Sequence, residues 1–546
     1  MKTISKTQSI CPVCHKPINA YYIEMGHGDV YPVPESDCCC EQAPEESCCC
    51  EPDGRVYFVQ QCPEHGEFRT LASESAADFK AWVQNPVINI PPKQAITEGA
   101  PTETCCGAAS EFGSECPLHC GTCTNHLQTT CCVLIDVTQR CNQHCPYCFA
   151  LSGAGDVQGD RFHDEAGNYV PQAEFGEPTL AEIEAKYDFL LEQGEEGREF
   201  NIQLSGGEPT VRDDLPEIIR MARNKGFSYV QINSNGRRLA EEEGYAKVLK
   251  DAGTSVIFMQ FDGTRDDIYM KLRGEALFEK KVQAIRNCEK AGLAVTLVPT
   301  VVRGVNDDNI GEMMDFLVEN VNVVKGVHFQ PASFFGRYPS GDELEGRITM
   351  FGLLRELENQ RPEFKFEDSL PISTGHTLCC FYSTYIREPD GSVRCTLTQN
   401  QKDEGVSCCD TQGAGECCCE TQVSNGVVSV GCCDMTQADR LEVIKKDRDY
   451  VLDKWTVEIP DEENTCCCCG SQADPDFSGY ESAEDITDLD EFLTYYRQNT
   501  FTVTGMAFQD LTNLDAERLK RCRVVQLTDD NRLIPFCAFN TIYRKN

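Results

Sequence analysis

An alternation in the middle of the chain restricts the fold more than any other feature. Apolar, β-rich runs stand at Cys132–Val137, Phe200–Leu204, Tyr229–Asn233, Ser255–Phe261, Ala294–Val301 and Gly326–Gln330. Helical periodicity fills the intervals, at Leu180–Glu192, Leu215–Asn224, Tyr245–Ala252, Lys280–Ala291 and Ile310–Glu319. Gly226, Gly253 and Gly292 follow three of these stretches, where a helix is readily stopped. Strands separated by helices pair in parallel through right-handed crossovers. Six such units predict an α/β fold, a partial (β/α)6 TIM-like barrel, with its chemistry at the C-terminal ends of the strands.

Cysteine is the second constraint. The chain has 36 among its 546 residues. Its first residues contain no apolar stretch of signal-peptide length, and no run is long enough to span a bilayer. The expected location is therefore the cytoplasm, where thiols stay reduced and serve as metal ligands rather than disulfides. With 88 acidic against 49 basic residues, the formal charge is -39. That charge repels nucleic acid and anionic membrane surfaces, so neither is an expected partner.

Directly after the first strand comes Cys141-Asn-Gln-His-Cys145-Pro-Tyr-Cys148-Phe149. Three thiolates in one tight loop can ligate three irons of a cubane and leave the fourth open to a substrate. This CxxxCxxC motif, followed by an aromatic residue at the end of a first strand, resembles the radical S-adenosylmethionine (SAM) superfamily. The resemblance implies a [4Fe–4S] cluster held by Cys141, Cys145 and Cys148. SAM is then expected to chelate the open iron, with Phe149 beside it. Gly206-Gly207-Glu208, ending the second strand, resembles the family's motif for the SAM amino group. Asn233, Ser234 and Asn235 end the third strand, within reach of ribose hydroxyls. Asp262 ends the fourth, and Arg273 after it suits the SAM carboxylate. Thr300, Val301, Asn306 and Gln330 stand near later strand ends, as candidate cavity lining.

Further cysteine motifs surround this core. Cys11-Pro-Val-Cys14 and Cys62-Pro-Glu-His65 form two knuckles able to supply four ligands to one tetrahedral ion, iron or zinc, in a rubredoxin- or zinc-ribbon-like module. Cys116, Cys120 and Cys123 repeat the CxxxCxxC spacing and suit an auxiliary [4Fe–4S] cluster. Cys379 or Cys380, with Cys522 and Cys537, form a further candidate set in the C-terminal region. Runs of adjacent cysteines, such as Cys417–Cys419 and Cys466–Cys469, sit in acidic, Gly- and Ser-rich insertions expected to be surface loops.

Four regions are expected: residues 1–100, an N-terminal metal-binding module with a Cys-rich insertion; 101–130, an auxiliary-cluster connector; 131–345, the barrel; and 346–546, a C-terminal region with cluster cysteines. The motif order resembles the radical SAM group that contains the tetraether-lipid synthase, the methanopterin-pathway pterin methyltransferase and the radical SAM (seleno)proteins. The group implies an enzyme that cleaves SAM reductively, forms a 5′-deoxyadenosyl radical, and methylates carbon or joins C–C bonds at an unactivated C–H position. A small-molecule or lipid substrate and an electron donor such as flavodoxin or ferredoxin are the implied partners. A long apolar channel would mark a lipid substrate and a small polar pocket a pterin. A soft-metal or thiol-buffering protein, and a multi-cluster peptide-maturation enzyme, are the alternatives.

Overall fold

A computed structural model describes residues 1–26, 54–87, 126–154, 169–194, 200–339, 346–372, 375–397 and 482–544. It also describes positions 89, 121 and 480, and the backbone of the strand pair Glu420–Ser424 and Val427–Gly431. Cys116, Cys120 and Cys123, and every run of adjacent cysteines in the acidic insertions, lie outside these residues.

The N-terminal module is an antiparallel meander of β1 (Lys2–Ile10), β2 (Pro17–Met25), β3 (Arg55–Cys62) and β4 (Gly66–Ser73), in sheet order 1-2-3-4. In a meander the first and third turns fall at the same end. Because β2 pairs with β3 in the register Asn19↔Gln61, the Cys11–Cys14 and Cys62–His65 turns become neighbours. Helix α1 (Ala76–Val83) follows, its first turn capped by the Ser75 side chain, which accepts from Asp78 N.

The barrel strands are β5 (Cys132–Thr138), β6 (Asn201–Gly206), β7 (Val230–Ser234), β8 (Val256–Gln260), β9 (Ala294–Val298) and β10 (Val324–Pro331), each parallel to the next. The intervening helices are α2 (Leu180–Gln193), α3 (Leu215–Asn224), α4 (Arg237–Glu241), α5 (Tyr245–Ala252), α6 (Asp266–Arg273), α7 (Phe278–Lys290) and α8 (Ile310–Glu319). A Thr179–Glu182 capping box starts α2. Gly253 ends α5 at φ 106°, donating back to Leu249 and Lys250 carbonyls. One face of the strands joins the helices in the main core, through residues such as Ile135, Ile202, Ile232, Ile257, Leu297 and Val327. The alternate positions form the concave face.

The sheet does not stop at the barrel. After α9 (Met350–Gln360) the chain forms β11 (Cys380–Arg387). Helix α10 (Leu489–Asn499), β12 (Thr500–Met506), the short helix α11 (Ala516–Lys520), β13 (Val524–Leu527) and β14 (Leu533–Pro535) complete the C-terminal region. Strand β12 adds in parallel to β10 and is covered by antiparallel β11. Strand β13 adds in parallel to β5 on the opposite edge, and β14 covers it. The boundary expected at 345 therefore divides strands of one sheet. The physical reason is edge protection: unpaired strand edges template aggregation, and C-terminal strands occupy both edges. No helix of the described residues is long and apolar enough to cross a membrane.

Candidate active site and metal centre

The loop carrying Cys141, Cys145 and Cys148 leaves β5 at the C-terminal end of the sheet, and all three thiols are free and half-buried. Burial pushes the Cys141 thiol up, with Glu208 adding to it; burial also raises Cys145, against the pull of Arg273. The loop is braced from three sides. Arg337 exchanges backbone hydrogen bonds with Cys148, each 2.9 Å, and its Nε donates to Cys145 O at 2.7 Å. Arg273 donates to Tyr147 O at 2.8 Å. Asn235 Nδ2 donates to Asn142 Oδ1 at 2.7 Å. Inside the loop the Gln143 Nε2 donor is buried with no partner among the described residues.

The glycine pair closes against this loop. Gly207 N donates to Thr138 O and Glu208 N to Arg140 O, at 2.7 and 2.8 Å. An ideal Cβ on Gly206 would lie 2.1 Å from Thr138 O, and one on Gly207 2.0 Å from Arg140 O. Gly206 also holds φ at 121°. The close approach that these glycines permit is thus to protein backbone. Glu208 is buried and accepts from Thr210 N, Thr210 Oγ1, Ser234 Oγ and Asn235 N. Its carboxylate ties the end of β6 to the end of β7. The Ser234 hydroxyl and the Asn235 backbone N–H are spent on that tie and the Asn235 side chain on Asn142, whereas Asn233 is half-buried on the concave face and donates weakly to Ser205 Oγ at 3.4 Å.

Asp262 and Arg273 form a bidentate buried pair, both contacts 2.7 Å. The remaining Arg273 contacts go to Tyr147 O and Thr300 Oγ1, so its fork is committed to the protein rather than presented to a ligand. Asn306 is wholly buried and donates to Asp262 O and Thr300 O. It braces the strand ends instead of lining a cavity. Gln330 N donates to Pro299 O, holding the end of β10 against β9's continuation. Phe149 is part-exposed, 5.7 Å from the Phe536 ring, with the Arg544 guanidinium above it. Arg337 was not anticipated from the sequence. The visible signal is Gly336, at φ 74°, where a Cβ would meet Cys148 O at 2.4 Å.

In the N-terminal module the ligand atoms of Cys11, Cys14, Cys62 and His65 all lie within 4.8 Å of one another. His65 Nδ1 stands 3.7 Å from Cys11 Sγ and 3.5 Å from Cys62 Sγ. Val13 N donates to Cys11 Sγ at 3.4 Å. Burial works to raise the Cys62 thiol, but hydrogen bonds from Glu64 and His65 hold it down, at about 6.

Among the C-terminal cysteines the structure separates two neighbours. Cys379 Sγ accepts from Arg518 Nε at 3.4 Å, and Cys522 and Cys537 both sense it electrostatically. Cys380 instead faces Gly375 and is influenced by Cys379 and Cys131, its thiol pushed up by burial to about 12. Adjacent residues entering a strand point to opposite sides, so only one of the pair can join Cys522 and Cys537. Of the two that the sequence left open, Cys379 is the one on the side of Cys522 and Cys537.

The chain matches the Radical SAM superfamily over residues 135–317. Over 549 residues it is 31% identical to the 7,8-dihydro-6-hydroxymethylpterin dimethyltransferase of Methanocaldococcus jannaschii, covering 99% of this chain and 94% of that protein. The chain belongs to the radical SAM superfamily. The GTP 3′,8-cyclase of Nautilia profundicola is 25% identical over 280 residues, half of this radical SAM protein and 75% of the cyclase. The Streptococcus suis SuiB structure bound to precursor peptide SuiA overlaps 44% of this chain and 47% of that one, with 14% identity and a TM-score of 0.33. Membership implies SAM and a [4Fe–4S] cluster as cofactors. Three soft thiols in one braced loop, beside an orphaned buried amide donor, fit that cluster.

Proposed function

We propose that this radical SAM protein is an enzyme that functionalises a C–H bond of a polar heterocycle of the pterin type, with methylation as the reaction. The observation that carries the substrate class is the concave face of the barrel. Around an apolar patch of Val256, Phe258 and Ala294, its strand positions bear amides, hydroxyls and an imidazole: Gln203, Gln231, Asn233, Thr296, His328 and Thr504. Gln231 Nε2 donates to Asn233 Oδ1 along its own strand at 3.3 Å, and His328 Nδ1 meets Thr504 Oγ1 across strands at 2.9 Å, both on this face. A lipid tail needs an apolar channel there, since each unpaired polar group it covered would cost about 1–3 kcal/mol. A heterocycle rich in donors and acceptors satisfies the same groups. The pterin named for the full-length relative has that chemistry.

Cys141, Cys145 and Cys148 hold the cluster in this reading. When bound, the cluster and SAM supply reductive cleavage of the sulfonium and a 5′-deoxyadenosyl radical that takes hydrogen from carbon. The protein residues fix positions. Arg337, Arg273 and Asn235 hold the thiolate loop; Gly206, Gly207 and Glu208 lock the ends of β6 and β7 around it. Phe149 and Asn233 are the candidate residues facing SAM. Asp262 and Arg273 act through the loop and not on SAM itself. Cys11, Cys14, Cys62 and His65 hold one tetrahedral iron or zinc. Cys116, Cys120 and Cys123, and the set Cys379, Cys522 and Cys537, are assigned to auxiliary clusters, reduced by a flavodoxin- or ferredoxin-like donor.

The test is anaerobic reconstitution with dithionite and SAM, in the presence of 7,8-dihydro-6-hydroxymethylpterin or of an archaeal membrane lipid. The pterin should raise 5′-deoxyadenosine formation and acquire methyl mass from a second SAM, which leaves as S-adenosylhomocysteine, with dithionite supplying the two electrons. Stimulation by the lipid alone would overturn the substrate class. No SAM cleavage at full cluster loading would favour a metal-buffering protein instead.

A further inference from the structure

Lys281 stands out among the buried cations. It lies on α7, 1% exposed, and no carboxylate among the described residues is within ion-pair distance of its ammonium. The other deeply buried lysines have compensation. Lys186 pairs with Asp529 at 2.7 Å. Lys325 donates to the Arg497 and Gln498 carbonyls at the end of α10, where the helix dipole is negative. Lys281 Nζ donates only to neutral oxygens, Asn235 O at 2.6 Å and Gln260 Oε1 at 3.1 Å, with the Tyr269 ring 5.9 Å away. A buried ammonium without a counter-charge is costly.

Its two contacts lead to the same place. Asn235 reaches Asn142 of the thiolate loop. Gln260 Nε2 donates to Asp262 Oδ2 at 2.7 Å, Asp262 grips Arg273, and Arg273 donates to Tyr147 O of that loop. Lys281 therefore closes a ring of hydrogen bonds through the segment Cys141–Cys148.

We infer that Lys281 is a positioning and charge-supplying residue whose missing counter-ion is the anionic thiolate-ligated cluster, and that its ammonium raises the potential at which the cluster accepts an electron. The inference rests on the cluster assignment above. Burial lowers the Lys281 pKa to about 8, with Asp262 opposing, so the charge is present at neutral pH. A fixed positive charge favours the reduced, more negative cluster, so removing it makes reduction harder.

The experiment is an anaerobic redox titration of reconstituted protein, followed by electron paramagnetic resonance of the reduced cluster in the Cys141 loop, alongside SAM binding. Lys281→Met should shift the midpoint to more negative potential, and Lys281→Arg should stay near the wild type. Should Lys281→Met not assemble, Gln260→Glu offsets the charge without emptying the site and should shift the midpoint in the same direction. An unchanged midpoint in the assembled variant overturns the inference. Loss of SAM affinity at unchanged midpoint would assign the ammonium to the SAM carboxylate and overturn it equally. Wild-type protein with no cluster in the Cys141 loop would refute the cluster assignment, and this inference with it.

Discussion

An ideal Cβ at Gly207 would meet the Arg140 carbonyl at 2.0 Å, against backbone that cannot swing aside. Gly207→Ala should therefore cost about 1–3 kcal/mol of stability and displace the thiolate loop. Chemical denaturation together with iron and sulfide content measures both; wild-type stability and loading would refute the packing account. At the N-terminal site the prediction concerns an ion. Cys62→Ser should release the metal shared by Cys11, Cys14 and His65, detected as one fewer ion per chain by elemental analysis. Retention of that ion would show that the four side chains do not act together. The CxxxCxxC spacing and the paired knuckles were legible in the sequence because their ligands are local. Arg337, Lys281 and the choice of Cys379 over Cys380 were not. Each acts on a segment more than a hundred residues away, and no local pattern encodes such a contact.

At the scale of elements, His328 on β10 gives a pH prediction. Burial lowers its pKa from 6.5 to about 4, so the folded state keeps it neutral where the unfolded chain takes a proton. The stability it preserves is complete above pH 6.5 and falls as pH drops toward 4, by up to about 1.4 kcal/mol per pH unit. His328→Gln should flatten that part of the stability–pH curve in denaturant titrations, and an unaltered slope would contradict the assignment. The barrel strands and five helices were legible because β-rich segments alternate with stretches of helical apolar periodicity. Leu215–Asn224, Tyr245–Ala252 and Ile310–Glu319 match the expected spans. Helix α6 escaped notice because half of its eight residues are charged, two aspartates, a lysine and an arginine, in a segment of barely two turns. The pairing partners of β12 and β13 were invisible because they lie far off in sequence.

At the scale of the molecule, the C-terminal region completes the fold as well as contributing cysteines. Strands β12 and β13 shield the two edges of the barrel sheet, and the N-terminal module docks on the same region. Thr7 Oγ1 and Tyr22 OH donate to Asp515, and Gln60 Nε2 donates to Leu511 O. A chain ending at 345 should therefore aggregate, with both edges bare, by size-exclusion chromatography and light scattering. A stable monomer of that length would show that the barrel folds without its edge strands.

The account depends on Cys141, Cys145 and Cys148 holding one cluster that engages SAM. Its most direct test is anaerobic reconstitution of Cys145→Ala, read by Mössbauer spectroscopy and 5′-deoxyadenosine formation. The variant should lose one cubane relative to wild type and form no 5′-deoxyadenosine. Full cluster content with continued SAM cleavage would contradict the account.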